Sequence, residues 1–256
     1  MNLKILRRTF VILTMLFFTS SISMAQILQG VSKALLADFY QQLLLGKLTP
    51  QVLEYEIRTS GKDTSVKICN VIVKKKNKKY LIEFTTPADM KGTRLLNLDT
   101  GQNYVYLPAF GRVRRIASSG TNQNFLGMAI SLDDLTLITY LVEYYAADAT
   151  KVISADAEMV ELEFRAGPAD NAPYPKINIG VGKHGKLQYV ACFDGSGKKI
   201  KTMRYNNYTC EQDLCLAGEW VVTDLVNNYE TKMISKSRKV NVQISDETFS
   251  KANLDK

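Results

Sequence analysis

Residues 159–193 read MVELEFR-AGPADNAPYP-KINIGVG-KHGK-LQYVACF, and the alternation in this stretch decides the fold class. Val160, Leu162 and Phe164 alternate with Glu161, Glu163 and Arg165. Ile177, Ile179 and Val181 repeat the pattern, and Leu187, Tyr189, Ala191 and Phe193 read as a third apolar face. A period of two places successive side chains on opposite faces, which is the signature of half-buried strands. Lys183-His184-Gly185 separates the last two runs with turn chemistry. His184 is the only histidine of the chain and reads as exposed in that turn.

The same period extends outward. Leu53, Tyr55 and Ile57 alternate with charged residues in 52–59. Tyr80, Ile82 and Phe84 share a face in 79–85, and Val240, Val242 and Ile244 alternate near the C-terminus. Turn signals recur at 60–63, 77–78, 99–101 and 194–197. Strands every 8–12 residues joined by tight turns predict one antiparallel meander. The spacing predicts about ten or eleven strands in one continuous sheet across 52–244, and a sheet of that size must curl.

Two segments break the period of two. Residues 27–46 place Leu28, Val31, Leu35, Phe39 and Leu43 at helical spacing, with Gly46 and Pro50 as stop signals. Residues 131–145 open with Ser131 and Asp134 at capping-box spacing, with Asp133 favourable to the helix N-terminus. Leu135, Ile138, Val142 and Tyr145 form one apolar stripe, and Leu137, Leu141 and Tyr144 another. A helix apolar nearly all round is buried on both sides, as a core helix or as the lining of a cavity. Both helices are expected on the concave side of the sheet.

The chain has 256 residues, 46% hydrophobic and 23% charged, with a net charge of +8. This composition excludes a disordered chain, a collagen-like repeat and a multi-pass membrane protein. Residues 1–25 have the three parts of a secretory signal peptide: Lys4, Arg7 and Arg8, then the apolar run Phe10–Phe18, then a small-residue end at Ser23-Met24-Ala25. The apolar run is shorter than the ~20 residues that span a bilayer. Residues 26–256 are expected as a single exported domain, soluble after cleavage. Losing three basic residues with the leader lowers the charge to +5. That field suits an anionic surface or an acidic partner and lacks a nucleic-acid-binding signature.

Of the four cysteines, Cys210 and Cys215 enclose a short loop that a disulfide can close in an oxidising compartment. Cys69 and Cys192 are either buried thiols or a second bridge. The residues contain no catalytic constellation: adjacent Asp133 and Asp134 do not face each other, and there is no phosphate-binding glycine loop. No enzyme activity, cofactor or metal is expected.

One stretch carries a resemblance. YLIEFTTPADMKGT at 80–93, YVYLPAFGRVRRI at 104–116, NFLG at 124–127 and DDL at 133–135 are similar to the LolA-like outer-membrane lipoprotein-sorting protein family. Tyr189–Lys201 resembles the family's strand, Asp-x-x-Gly turn and lysine, and Asp246–Phe249 its closing segment. Asn103-Tyr104 stands where many relatives have Trp-x-Tyr, and Met128-Ala129-Ile130 replaces a polar Ser-Asp-Phe. The resemblance implies an unclosed antiparallel half-barrel covered by helices, mainly β, with an apolar cavity for acyl chains. It implies a monomeric periplasmic carrier of lipoprotein or lipid acyl chains, with an inner-membrane transporter as partner. Accessory-subunit and non-carrier envelope roles are the alternatives.

The residues expected to line the cavity are Phe125, Leu126, Met128, Ile130, Leu135, Ile138 and Leu141, against the alternative that they are plain core. Arg112, Arg114 and Arg115 suit head-group phosphates or a protein partner, or pairing with Asp133 or Asp134. Lys74–Lys79 reads as a basic hairpin tip, solvated or touching a membrane surface or a partner.

Overall fold

The structure is a computed structural model, and it describes residues 24–61, 64–98, 102–117, 120–145, 150–167 and 171–256. The leader falls on residues outside this set, apart from its last two. Helix α1 (Met24–Leu48) precedes strands β1 (Gln51–Gly61), β2 (Thr64–Lys76), β3 (Lys79–Thr86), β4 (Arg94–Asn97), β5 (Asn103–Leu107) and β6 (Arg112–Ile116). Two short helices follow, α2 (Leu132–Leu137) and α3 (Leu141–Tyr144). Then come β7 (Thr150–Ala155), β8 (Met159–Arg165), β9 (Lys176–Gly182), β10 (Leu187–Phe193) and β11 (Lys199–Asn206). The last strands are β12 (Thr209–Glu211), β13 (Leu214–Leu216), β14 (Glu219–Asp224) and β15 (Tyr229–Val240).

The protein is mainly β. Among the described residues, thirteen strands form one antiparallel sheet in the order β6-β5-β4-β3-β2-β1-β15-β14-β11-β10-β9-β8-β7, and β12–β13 is a separate hairpin. The sheet thus exceeds the ten or eleven strands expected. Two meanders are joined through β1 and β15, whose register runs from Gln51 opposite Val240 to Gly61 opposite Tyr229. The sheet is unclosed, with β6 and β7 as its edges, and the chain from 117 to 149 connects one edge to the other.

The inner face carries the core predicted by alternation: Ile57, Phe84, Val160, Leu162, Phe164, Ile177 and Ile179 belong to one buried cluster, which Val71 of β2 joins. Leu35 and Phe39 of α1 join it, with Leu43 packed against it; the side chains of Leu28 and Val31 lie outside the described set. Helix α1 rests on the turn Lys183–Gly185. A Cβ at Gly185 would approach the Asp38 backbone to 2.4 Å, and its φ of +66 is a glycine conformation, so both contact and turn need this residue. His184 is exposed there.

Four expectations need correction. The face of β10 is inverted: Val190 and Cys192 are buried inward, while Tyr189 covers Gly180 on the other side. A bulge between Leu187 and Tyr189 shifts the register, and a one-residue slip exchanges the faces. The last strand ends at Val240, because Asn241 adopts a φ of +55 and leaves the ladder. Ile244 instead packs with Leu81, Leu96, Phe249 and Leu254 in a second, smaller cluster. Helix α1 passes Gly46 and ends at Leu48.

The single helix expected over 131–145 is two helices broken at 138–140. The capping box forms, with the Ser131 side chain accepting from Asp134 N and the Asp134 side chain from Ser131 N. The Thr136 hydroxyl donates back to the carbonyls of Leu132 and Asp133 at 3.3 and 3.2 Å, a local bond that bends helices. The break turns Val142 outward, 59% exposed, so the continuous stripe through Val142 does not exist.

Candidate functional site

A cavity of about 300 Å³ lies between α1, the inner face of the central strands, α2 and the β12–β13 hairpin. Its apolar lining includes Phe39 and Leu43 of α1, Leu53 of β1, Val73 of β2, Ile82 of β3 and Met233 of β15. The strands present these residues because each lies on the inward parity of an alternating run. Leu214 and Leu216 of the hairpin close one side. Cys210 and Cys215 of this hairpin are disulfide-bonded, and Gln42 of α1 holds it by donating to the Asp213 carbonyl and accepting from Cys215 N. Cys69 and Cys192 are buried free thiols.

Of the seven residues expected to line a cavity, Leu135 and Ile138 do so. Phe125, Met128, Ile130 and Leu135 surround a separate void of about 20 Å³, too small for a ligand. Leu126 is 43% exposed with a φ of +51, so it points away from the interior. Leu141 is fully buried but lies outside the cavity lining. The family-like segment therefore positions the site more than it forms it. Asn124 Nδ2 donates to Asp224 at 2.8 Å, and Ala129 N donates to the buried Thr231 hydroxyl at 2.8 Å.

At its end, Asp134 receives Ser131 N at 2.7 Å, the Tyr174 hydroxyl at 2.5 Å and Lys201 Nζ at 2.6 Å. Asp134 and Lys201 are both buried, so this ion pair is shielded from water. The pair joins two separate parts of the family-like pattern and fixes the turn from which Leu135 and Ile138 enter the cavity. Burial raises the neighbouring Asp133 carboxyl above its ordinary value.

The polar lining was missed in the sequence. Lys75, Tyr80, Trp220 and Gln51 all face the cavity. Lys75 continues the inward parity of Cys69, Val71 and Val73, which was the available signal. Lys75 is half-buried by accessible surface, yet the protein around its ammonium pushes its pKa down to about 8. Burial raises the Tyr80 hydroxyl strongly and pushes that of Tyr55 to about 12. Two other lysines of the basic tip are paired: Lys78 with Glu143, which also takes Lys47 at 3.3 Å, and Lys76 with Asp246 at 3.1 Å.

Arg112, Arg114 and Arg115 stand exposed on the edge strand β6, away from the cavity lining. Arg114 lies over the exposed Phe110 ring at 5.3 Å. None of the three pairs with a carboxylate among the described residues, and the pairing with Asp133 or Asp134 is not formed. Among the described residues, no helix is long and apolar enough to cross a membrane, and no cluster of His, Cys, Asp and Glu could hold a metal ion.

Comparison with known proteins places this architecture. A family model described as "Uncharacterized protein" matches residues 76–256. No curated protein sequence matches. An outer membrane lipoprotein-sorting protein domain from Vibrio parahaemolyticus superposes with a TM-score of 0.71 at 20% identity, covering 89% of this chain and 97% of that one. A DUF1329-family protein from Desulfovibrio piger gives 0.74 at 20% identity, covering 87% and 98%. A LolA-superfamily protein from Nitrosomonas europaea gives 0.67 at 19% identity, covering 84% and 96%. The chain thus belongs to the family whose model spans residues 76–256, and it carries the fold of the LolA-like lipoprotein-sorting proteins.

Proposed function

We propose that the protein is an exported carrier that sequesters acyl chains of lipoproteins or lipids in the cavity under α1 and moves them between membranes. The carrying observation is the largely apolar cavity of about 300 Å³, at the lower end of the roughly 300–1,000 Å³ of ligand pockets. A buried methylene gains ~0.8 kcal/mol, so a chain of about twelve carbons in such a lining gains on the order of 10 kcal/mol. That is enough to compete with a bilayer for a single chain. The helices cover the concave face of the half-barrel, residues 26–256 act as one monomeric domain, and residues 1–25 direct it to the periplasm. The chemistry is reversible sequestration, without bond making. Release requires a partner that binds the emptied form better, and an inner-membrane transporter would be that partner. The unpaired arginines on β6 favour a docking or head-group contact at that edge, which also suits an accessory subunit of a lipid transporter.

The test is a charge placed in the lining. Ile138→Glu puts a carboxylate into the apolar wall, where an unpaired charge is strongly unfavourable. The folded variant is expected to lose binding of a fluorescent acyl probe, whereas Lys151→Glu on the exposed opposite edge strand β7 leaves equilibrium binding unchanged. Equal binding by wild type and folded Ile138→Glu would reject the cavity as the acyl site.

A further inference from the structure

The cross-strand register assembles a polar row on the inner face. Gln51 lies opposite Lys75, and Lys75 lies opposite Tyr80. Directly opposed side chains in an antiparallel pair have Cβ atoms about 4.5–5.5 Å apart, so one small group can touch both. The Gln51 amide is spent on its own chain, donating to the carbonyls of Gly46 at 3.1 Å and Thr49 at 3.2 Å. Lys75 has no hydrogen bond or ion pair among the described residues. The Tyr80 hydroxyl is buried and has no hydrogen-bond partner among the described residues. Nearby carboxylates are engaged elsewhere: Asp134 by Lys201 and Tyr174, Glu143 by Lys47 and Lys78, and Asp133, which acts on the Tyr80 hydroxyl electrostatically, by Thr121.

An ammonium without a counter-ion and a buried hydroxyl without a partner are both unfavourable in an apolar cavity. Side by side, they match a group that only accepts hydrogen bonds and carries one negative charge. A carboxylate is that group. A phosphate dianion calls for more cations than this wall holds, since Lys47, the other basic residue lining the cavity, is already paired with Glu143.

We propose that the cavity binds its acyl chain as a free fatty acid: Lys75 Nζ pairs with the carboxylate, Tyr80 Oη donates to it, and the chain lies over Leu53, Val73 and Met233. This rests on the acyl-chain reading above and narrows its cargo from the ester- or amide-linked chains of a lipoprotein to an unesterified lipid. Burial holds the ammonium's pKa down to about 8, so it is charged at pH 7 and gains most from a bound anion. Such a site selects an unesterified lipid over an acyl group already in ester or amide linkage.

Trp220 is the only tryptophan and lines the same cavity, so its fluorescence reports occupancy. Dodecanoate, its methyl ester and lysophosphatidate are titrated at pH 7 into the wild type, Lys75→Met and Tyr80→Phe. The wild type is expected to bind dodecanoate at least about tenfold tighter than the ester, the size of one charge-assisted contact. Lys75→Met should bind acid and ester alike, with ester affinity kept, and Tyr80→Phe should lose part of the preference. Lys75→Met removes an unpaired charge from an apolar wall, so it is expected to stay folded, which circular dichroism checks. Equal affinity of the wild type for acid and ester overturns the carboxylate site while leaving the acyl reading standing. So does a preference that survives in folded Lys75→Met, or lysophosphatidate binding tighter than dodecanoate through Lys75. Binding of none of the three ligands overturns the acyl reading itself, and this proposal with it.

Discussion

Replacing Lys201 by Met removes one of three partners from a carboxylate that is 3% exposed. Asp134 keeps Ser131 N and the Tyr174 hydroxyl, but its charge then has no counter-ion in the interior. Breaking a buried ion pair on one side costs roughly 3–5 kcal/mol, and the two remaining hydrogen bonds favour the lower end, about 3 kcal/mol. Asp134→Asn leaves the Lys201 ammonium stranded instead and is expected to cost a similar amount. The double variant Asp134→Asn/Lys201→Met buries no charge, so it should be clearly more stable than the sum of the singles, with a coupling of about 2 kcal/mol or more. Urea unfolding followed by circular dichroism, with a common slope for all four proteins, measures the cycle. A cost below about 1 kcal/mol for Lys201→Met, or singles that add within about 0.5 kcal/mol, would refute the shielded pair. The functional corollary is direct: Asp134 anchors the first turn of α2, so the folded Lys201→Met protein should also bind an acyl probe more weakly through Leu135 and Ile138.

Two further outcomes follow from buried titratable groups. Lys75 has a native pKa of about 8, below that of an unfolded lysine, so between pH 8 and about 10 the unfolded chain holds the extra proton. Lys75 therefore contributes stability that grows with pH across that window, while the raised thiols of Cys69 and Cys192 and the buried tyrosines act in the opposite sense. The stability of the wild type relative to Lys75→Met should rise from pH 7.5 to 9.5, which chemical denaturation of both proteins at pH 7.5, 8.5 and 9.5 checks. Burial pushes the Cys69 thiol to about 11 and Cys192 well above its ordinary value, so neither forms a thiolate readily. A disulfide-exchange reagent at pH 8 should modify neither in the native protein and both after denaturation.

Alternation is a local property of the chain, and it was enough to place the strands that carry it. Leu53, Tyr55 and Ile57, or Val160, Leu162 and Phe164, have the same parity in the fold as in the text of the sequence. The capping box at Ser131 and Asp134 was equally legible, because its two partners are three residues apart. Where a local irregularity intervened, the reading failed. The bulge before Tyr189 exchanged the faces of β10, and the Thr136 back-bond helped break the helix expected over 131–145.

The site needed more than period. Lys75 stood on the inward parity, but parity does not say whether an inward position meets packed side chains or a void. That depends on α1, which reaches the sheet from outside the strand pattern and leaves a gap beside Phe39 and Leu43. The neighbours of Lys75 come from positions 51 and 80 through strand register, and Asp134 meets Lys201 across 67 residues of chain. Periodicity along the chain thus determined which residues face inward. Only the tertiary structure decided which inward residues pack and which remain open to a ligand, because a cavity is a property of surfaces from distant segments that fail to meet.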